Sequence, residues 1–453
     1  MAAQILAICI FVGMFLLIIL DKFERYYITL ASGALVLALV FGVCMRSMSA
    51  IWGTLNLPSI FTSGFWYGAS EEGNSGINWS TIFFIAGMMI MVEGLGKAGF
   101  FRWLCLTLAK LVRYRIVPLL VCFMVLSAVL SMFIDSITVV LFLATVTLEL
   151  AQTMKFNPIP MILSEIFCAN LGGAATMCGD PPNIIVGTSL GYTFFDFISN
   201  TGVAVAICFV LVLIYFVLCF RKRLLRDEKN SGAAVCPQPG TAITNRPAFL
   251  LSAGVFLLAV ILLATHAQTK LTVACIGVIV AALSLVVIGC TSGGKAVLEI
   301  IKGVDYKTLL FFIGLFVSVA GLKETGVLDV IARFITTVSG GNAAIIVVII
   351  LWISAVTSAF VDNIPFAATM IPVVRSIAAA SGIDMGVLAW ALSLGTDLGG
   401  NATPIGASAN VVGTSVAAKG GYPISWGVYC KYCVGATVLV IAVSMGYLFL
   451  RYL

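Results

Sequence analysis

The chain is 453 residues long, 61% hydrophobic and only 10% charged, with a mean hydropathy of +1.14. That composition excludes a soluble globular domain, and apolar stretches long enough to span recur along it, which predicts an all-α polytopic membrane protein. The net charge of +6 sits in short loops between those stretches and is no nucleic-acid footprint.

The first predicted span is Gln4–Leu20, uncharged and followed by Asp21-Lys22. A signal peptide would carry basic residues before its apolar run and a small-residue cleavage site after it, so this segment reads as a span. No Lys or Arg occurs between Ser47 and Gly96, whereas Glu71 and Glu72 do, and that stretch reads as the outer side. Trp79–Gly96 then crosses inward and meets Lys97, Arg102, Lys110, Arg113 and Arg115. The amphipathic stretch Phe100–Leu111 among them is suited to rest along the inner surface.

After Val117–Ile134 comes a polar cluster at Asp135, then Val139–Gln152 and Lys155. Each flank of Asp135 is short for a span and ends near basic residues, so the expectation is a helical hairpin that enters from the cytoplasm and turns near mid-membrane. Pro160–Leu190 crosses outward, and Val203–Phe220 returns to Arg221-Lys-Arg-Leu-Leu-Arg226, the strongest positive-inside signal in the chain. Residues 221–246 read as a cytoplasmic linker too short to be a domain. Phe249–Thr265 goes out, Thr272–Ile288 comes in and Tyr306–Leu322 goes out again, so a second hairpin, turning at Asp362, enters from the outside. Arg46, Lys323 and Arg333 fall on the outer side in this scheme and run against the charge rule.

The two hairpins belong to an internal duplication. Ser131-Met-Phe-Ile-Asp135-Ser-Ile-Thr138 recurs as Ser358-Ala-Phe-Val-Asp362-Asn-Ile-Pro365, an offset of 227 (362 − 135). Leu171-Gly-Gly-Ala-Ala-Thr176 recurs as Leu398-Gly-Gly-Asn-Ala-Thr403 at the same offset, and Gly87, Gly94, Leu95 and Gly99 fall on Gly314, Gly321, Leu322 and Gly326. An odd number of crossings separates the hairpins, so the copies are predicted to be inverted. The expected organisation is a first repeat over 1–220, the linker 221–246, and a second repeat over 247–453. It comprises about ten transmembrane helices plus two re-entrant hairpins, with both termini on the outer side of a cell membrane.

Each copy also contains a predicted broken helix, over 160–190 and 386–415. Gly172-Gly173 followed by Gly179-Asp180-Pro181-Pro182-Asn183 cannot sustain a continuous helix, because two prolines remove amide donors and clash with the preceding turn. Gly399-Gly400-Asn401-Ala402-Thr403-Pro404-Ile405-Gly406 breaks likewise. A break frees N–H groups at one half-helix end and C=O groups at the other, whose partial charges suit anions and cations respectively. In lipid such backbone survives only if buried in protein or lining a wet cavity. A proline kink with small residues for close packing explains one copy, but not Asp, Asn and Thr recurring at matched positions in both.

The residues assigned to ion or substrate binding are Asp135, Ser136, Thr138, Thr176, Asp180, Asn183, Asp362, Asn363, Asn401, Thr403, Ser408 and Asn410. Their hydroxyls and amides offer neutral oxygen ligands for a hard cation, with Na⁺ expected at Asp135, Asn183, Asp362 and Asn410. They would equally hydrogen-bond a neutral polyhydroxy species. Burial disfavours an ionised carboxylate and a bound cation favours it, so one residue can exchange a proton for a cation, and Asp135 and Asp362 read as the coupling-ion residues. Asp180 is either a third such residue or the cap of the second half-helix. Glu165 and Asp397, within the same helices, are either relays or partners of buried polar groups.

Other motifs carry less. Cys430-x-x-Cys433 has no second pair and no His nearby, and the remaining cysteines lie scattered through apolar segments, where Cys behaves as a small hydrophobe. His266, the only histidine, falls at a predicted membrane edge. Gly289-x-x-x-x-Gly294-Lys295 imitates a phosphate-binding loop, but Ala296 replaces the hydroxyl that would hold Mg²⁺ and no strand precedes it. No enzyme is expected, and no cofactor beyond a coupling Na⁺ or H⁺.

The runs Glu165-Ile-Phe-Cys-Ala-Asn170-Leu-Gly-Gly-Ala-Ala-Thr-Met-Cys-Gly-Asp180-Pro-Pro-Asn183 and Gly399-Gly-Asn-Ala-Thr-Pro-Ile-Gly-Ala-Ser-Ala-Asn410, with the tip Phe360-Val-Asp362-Asn-Ile-Pro365, resemble the ArsB / P-protein (NhaD-like) branch of the ion transporter superfamily, related to divalent anion:sodium symporters. The likeness extends from about Asn78 to Tyr422. It implies a homodimer in which a part holding the hairpins and broken helices moves as an elevator against a scaffold, and secondary transport without ATP hydrolysis. Related dicarboxylate carriers have Ser-Asn-Thr at each tip, where this chain has Asp135-Ser-Ile-Thr138 and Asp362-Asn-Ile-Pro365.

Two unit charges roughly 8 Å apart interact by about 2 kcal/mol at an effective dielectric of about 20, so an anion would meet repulsion at both tips. On that ground arsenite or antimonite efflux, or Na⁺/H⁺ antiport, ranks first, and arsenite systems would add an ATPase subunit as partner. The alternative is a sodium- or proton-coupled carrier of small anions of dicarboxylate, citrate or sulfate type. A channel is disfavoured, because hairpins pointing from opposite faces suit alternating access.

Overall fold

The computed structural model describes residues 2–20, 22–68, 76–230 and 237–453. Asp21, Glu71, Glu72 and residues 231–236 of the expected linker lie outside them. Among the described residues the chain is helical, and its one β pairing is an isolated bridge between Tyr67 and Leu271. Among the described residues nine helices are long and apolar enough to cross a membrane, and four shorter apolar helices accompany them.

The first half comprises α1 (Ala2–Leu20), α2 (Arg25–Leu35, prolonged as a π-helix to Met45), α3 (Trp79–Lys97), α4 (Phe100–Leu111), α5 (Ile116–Ser131), α6 (Ser136–Met154), α7 (Ile159–Gly173), α8 (Pro181–Leu190) and α9 (Val203–Asn230). The second comprises α10 (Arg246–Thr269), α11 (Val273–Ser292), α12 (Tyr306–Glu324), α13 (Val327–Val338), α14 (Ala343–Ser358), α15 (Asn363–Ser381), α16 (Met385–Gly399), α17 (Ser408–Lys419) and α18 (Trp426–Tyr452).

From α3 onward the halves keep the register of 227: 306 − 79, 327 − 100, 343 − 116, 363 − 136 and 408 − 181 all give it. The turns repeat too, with Gly99 and Gly326 both left-handed (φ 85° and 74°), a conformation that favours glycine. Before α3 the offset changes. α2 packs on α12 and α11 packs on α3, which makes α2 and α11 counterparts. Their first residues, Arg25 and Val273, differ by 248, so the first half carries 21 additional residues (248 − 227) ahead of α3.

Both crossings depend on glycine. A Cβ on Gly314 would run into the backbone of Thr29 and Leu30, and one on Gly87 into the backbone of Gly277. Close backbone approach is what small residues provide where lipid supplies no hydrophobic drive for association. Gly303, just ahead of α12, lies against the Glu93 side chain near the end of α3. The end of one helix beside the start of its counterpart means that α3 and α12 run in opposite directions.

Two expectations need correction. The second limb of each hairpin is a full 19 residues, because Ser136–Thr138 and Asn363–Pro365 form the first helical turn instead of a loop. Only the first limbs, of 16 residues each, are short for a span. The polar stretch from Arg221 is not a linker at its start: α9 runs on to Asn230, since Arg, Lys, Leu and Glu all form helix readily. Phe100–Leu111 is helical as expected. It buries Phe101, Cys105, Leu106 and Ala109, and its Arg102 holds Glu149 of α6 through two bonds, of 2.6 and 3.1 Å.

Candidate functional site

The interruptions between α7 and α8 and between α16 and α17 are fastened to the hairpins by matched contacts. α7 ends where Gly172 meets the Ala128 backbone too closely for any side chain, and Gly399 meets Ala355 in the same way. Pro181 and Pro182 open α8, in the first turn where the missing N–H groups have no intrahelical partner to lose. The Thr176 hydroxyl donates to the Met132 carbonyl at 2.5 Å, and Thr403 donates to the Ala359 carbonyl, 227 positions on. Asn183 Nδ2 donates to the carbonyls of Gly173 and Thr176 (3.2 and 3.1 Å), and Asn410 Nδ2 to those of Gly400 and Thr403 (2.7 and 2.8 Å). Each asparagine therefore satisfies carbonyls that its own break has exposed.

The three aspartates have different surroundings. Asp135 caps α6, accepting from Thr138 N at 2.9 Å and Thr138 Oγ1 at 2.7 Å. Asp180 stands at the N-cap position of α8 but makes no side-chain cap bond. Its carboxylate instead joins the two hairpins, taking Ser136 Oγ on one oxygen at 2.9 Å and Asn363 Nδ2 on the other at 3.1 Å. Asp135 and Asp362 are both within electrostatic reach of it. Asp362 makes no cap bond; its Oδ2 accepts from Arg25 Nη1 at 2.6 Å and from Ser408 Oγ at 2.8 Å.

A cavity of about 750 Å³ gathers Asp135, Thr138, Asp362 and Ser408 with Lys22, Arg25, Lys307 and Pro181. Lys307 is itself paired with Glu24 at 2.6 Å. This tip cavity lies at the start of α12 and the end of α3. A second cavity, of about 950 Å³, lies at the opposite ends of those helices and includes Trp79, Lys323, Arg375 and His266. Neither Asp135 nor Asp362 is on its wall. His266 Nδ1 there contacts the Leu263 carbonyl at 2.8 Å.

Between the broken helices lies a buried polar core. Asn170 donates to Asn401 Oδ1 at 3.0 Å and to Asn410 Oδ1 at 2.8 Å. Asn183 Oδ1 accepts from Ser393 Oγ at 2.5 Å. Asp397, which stands 227 positions after Asn170, lies beside Asn183 and is wholly buried with neither oxygen hydrogen-bonded. Glu165 takes the Thr147 hydroxyl at 2.5 Å on one oxygen and nothing on the other.

The expected Na⁺ ligands do not converge. Asp135 and Asp362 share the tip cavity, whereas Asn183 and Asn410 are not on its wall and have their amides committed to the breaks. No group of three or more His, Cys, Asp or Glu suited to a metal occurs among the described residues, Cys430 and Cys433 included. Arg25, Asn170 and Ser393 join the site without having been singled out. Asn170 was findable, since it is Asp397 minus 227; Arg25 was not, because it reads only as a basic residue flanking a span.

The whole chain has relatives. Uncharacterized transporter Rv2684 of Mycobacterium tuberculosis is 32% identical over 99% of each chain, as is the 46 kDa membrane protein of Mycobacterium leprae. The P protein of Homo sapiens is 27% identical over 91% of this chain and 58% of its own length. The YdaH transporter of Alcanivorax borkumensis shares the fold with a TM-score of 0.55 at 16% identity, covering 81% of this chain and 84% of its own. MtrF of Neisseria gonorrhoeae does so with a TM-score of 0.55 at 12% identity, covering 82% and 80%. Residues 15–395 match the family model CitMHS, described as citrate transporter, and the chain belongs to that family of secondary transporters within the ion transporter superfamily.

Proposed function

We propose that this transporter carries a small carboxylate anion of the citrate type, coupled to H⁺ or Na⁺, and that the hairpins α5–α6 and α14–α15 with the broken helices α7–α8 and α16–α17 form its moving part. The observation that carries the anion reading is the Arg25–Asp362 ion pair on the wall of the tip cavity. The case for a cation or arsenite rested on two uncompensated tip charges, and a guanidinium beside one of them removes half of that repulsion. The α17 N-terminus, at Ser408, opens onto the same cavity and presents the partial positive charge that suits an anion. The family description agrees with this class.

The antiparallel course of α3 and α12, at one register, supports an inverted repeat with two re-entrant hairpins. A cavity at each end of α12, only one of which reaches the tips, supports alternating access. By the charge rule the tip cavity faces the cytoplasm and both termini face outward. The assembly is a homodimer with an elevator movement. Arsenite efflux or Na⁺/H⁺ antiport remains the second reading, favoured by Asp135, whose hydrogen-bond partners are the amide and hydroxyl of Thr138, with no cation. An ATPase subunit belongs to that reading alone.

Proteoliposomes under an imposed pH or Na⁺ gradient separate the two. Accumulation of labelled citrate supports the anion carrier. Arsenite or Na⁺ flux without citrate accumulation overturns it.

A further inference from the structure

The two hairpin tips are copies, but they dispose of their aspartates differently, and one residue explains why. Asp135 is held within its own tip because Thr138, the third residue of α6, offers both an N–H and a hydroxyl. The third residue of α15 is Pro365, which has neither. The carboxylate of Asp362 is thereby left without a local cap. It turns outward, and a single oxygen takes both Arg25 and Ser408.

These partners come from different parts of the molecule. Ser408 begins the half-helix α17, which belongs with the hairpins. Arg25 begins α2, which packs on α12 outside the hairpin and broken-helix assembly. Its side chain is one-third exposed at 34%, against 8% for Asp362, so the guanidinium faces the cavity while the carboxylate is largely enclosed. A guanidinium has five N–H donors in a planar fork that matches a carboxylate, and it can serve an incoming anion in the manner in which it serves Asp362.

We infer that Arg25 is the anion-receiving group of the transport site, that Asp362 is its internal occupant, and that a carboxylate of the substrate displaces Asp362 from it. This rests on the reading of the chain as an anion carrier. The exchange has two consequences. Displacement releases the second tip from α2, so substrate binding unlocks the moving part. It also leaves Asp362 as a largely buried anion near Asp180, with Ser408 as its remaining partner among those two, and that creates the demand for a cation. Anion and cation then bind cooperatively, each raising the affinity of the other by the same factor.

The test is citrate binding to purified protein in lipid nanodiscs at a series of Na⁺ concentrations and pH values. Wild type is expected to bind citrate more tightly as Na⁺ or H⁺ rises. Arg25→Gln is expected to weaken binding roughly tenfold or more, the loss typical of a charged hydrogen bond, with Arg25→Lys between the two. Asp362→Asn, nearly isosteric and so a check that does not depend on the Arg25 variants folding, is expected to bind citrate at least as tightly and to lose the cation dependence. Citrate binding by Arg25→Gln within twofold of wild type overturns the inference, as does an unchanged cation dependence in Asp362→Asn. If wild type binds no citrate at any Na⁺ or pH, the anion reading itself falls and takes the inference with it.

Discussion

Asp397→Asn is expected to stabilise the protein while abolishing coupled transport. Asp397 is wholly buried, and neither carboxylate oxygen has a hydrogen-bond partner. Its neighbour Asn183 is committed elsewhere: Nδ2 donates to the carbonyls of Gly173 and Thr176, and Oδ1 accepts from Ser393. The counterpart position holds Asn170, whose amide donates to both Asn401 and Asn410. Converting the carboxylate to an amide of the same shape removes an unsatisfied buried group, worth about 1–3 kcal/mol, and adds a donor. An amide placed as Asn170 is would donate to Asn183 Oδ1, for about 1 kcal/mol more. The expected sum is about 2–4 kcal/mol, read as a rise of several degrees in the melting temperature of detergent-purified protein. The reverse change, Asn170→Asp, sets a carboxylate against two amide oxygens and lowers the melting temperature. An Asp397→Asn protein that melts at or below wild type would refute the reasoning. A stabilised variant that still accumulates substrate against its gradient would remove the functional half of it.

Pro365→Thr restores the cap that Asp135 enjoys, worth about 1 kcal/mol, and draws Asp362 away from Arg25; citrate binding should tighten by up to about fivefold, and unchanged or weaker binding would count against the account of the tips. Asp180→Asn puts an amide where two donors converge from Ser136 and Asn363. It should abolish transport and increase proteolytic access to both tips, whereas normal transport would show that the bridge is dispensable. Gly87→Leu and Gly314→Leu each force the crossings of α3 with α11 and α12 with α2 apart. Both should cost about 1–3 kcal/mol of stability or more, read as a lower melting temperature, and a neutral result in either would contradict the close backbone approach.

The duplication made much of this architecture legible. The starts of α3 to α6 and of α8 could each be anticipated from a copy 227 positions on, because caps, glycine turns and prolines are local signals and were duplicated with the chain. The breaks were equally plain, since Gly-Gly and Pro-Pro allow little else. What escaped was whatever depends on partners far apart in sequence. Asp180 meets Ser136 across 44 positions and Asn363 across 183, so its bridging could not be told from a cap. Arg25 reaches Asp362 across 337 positions, and it does so because Pro365 denies that aspartate a nearer partner. The length of α9 was misjudged for a different reason: basic residues mark a membrane edge, but they do not end a helix.

The exchange of partners between the halves bears on how the protein is made. α2 packs on α12, and α11 on α3, so neither half contains the surface that completes its own opening helices. Arg25 and Tyr306 are 281 positions apart (306 − 25), so α2 enters the membrane long before its partner has been synthesised. Biogenesis must therefore keep the face of α2 that carries Thr29 and Gly33 unoccupied until the second half arrives. A chain cut in the 231–236 segment and expressed as two pieces should assemble only when both pieces share a membrane.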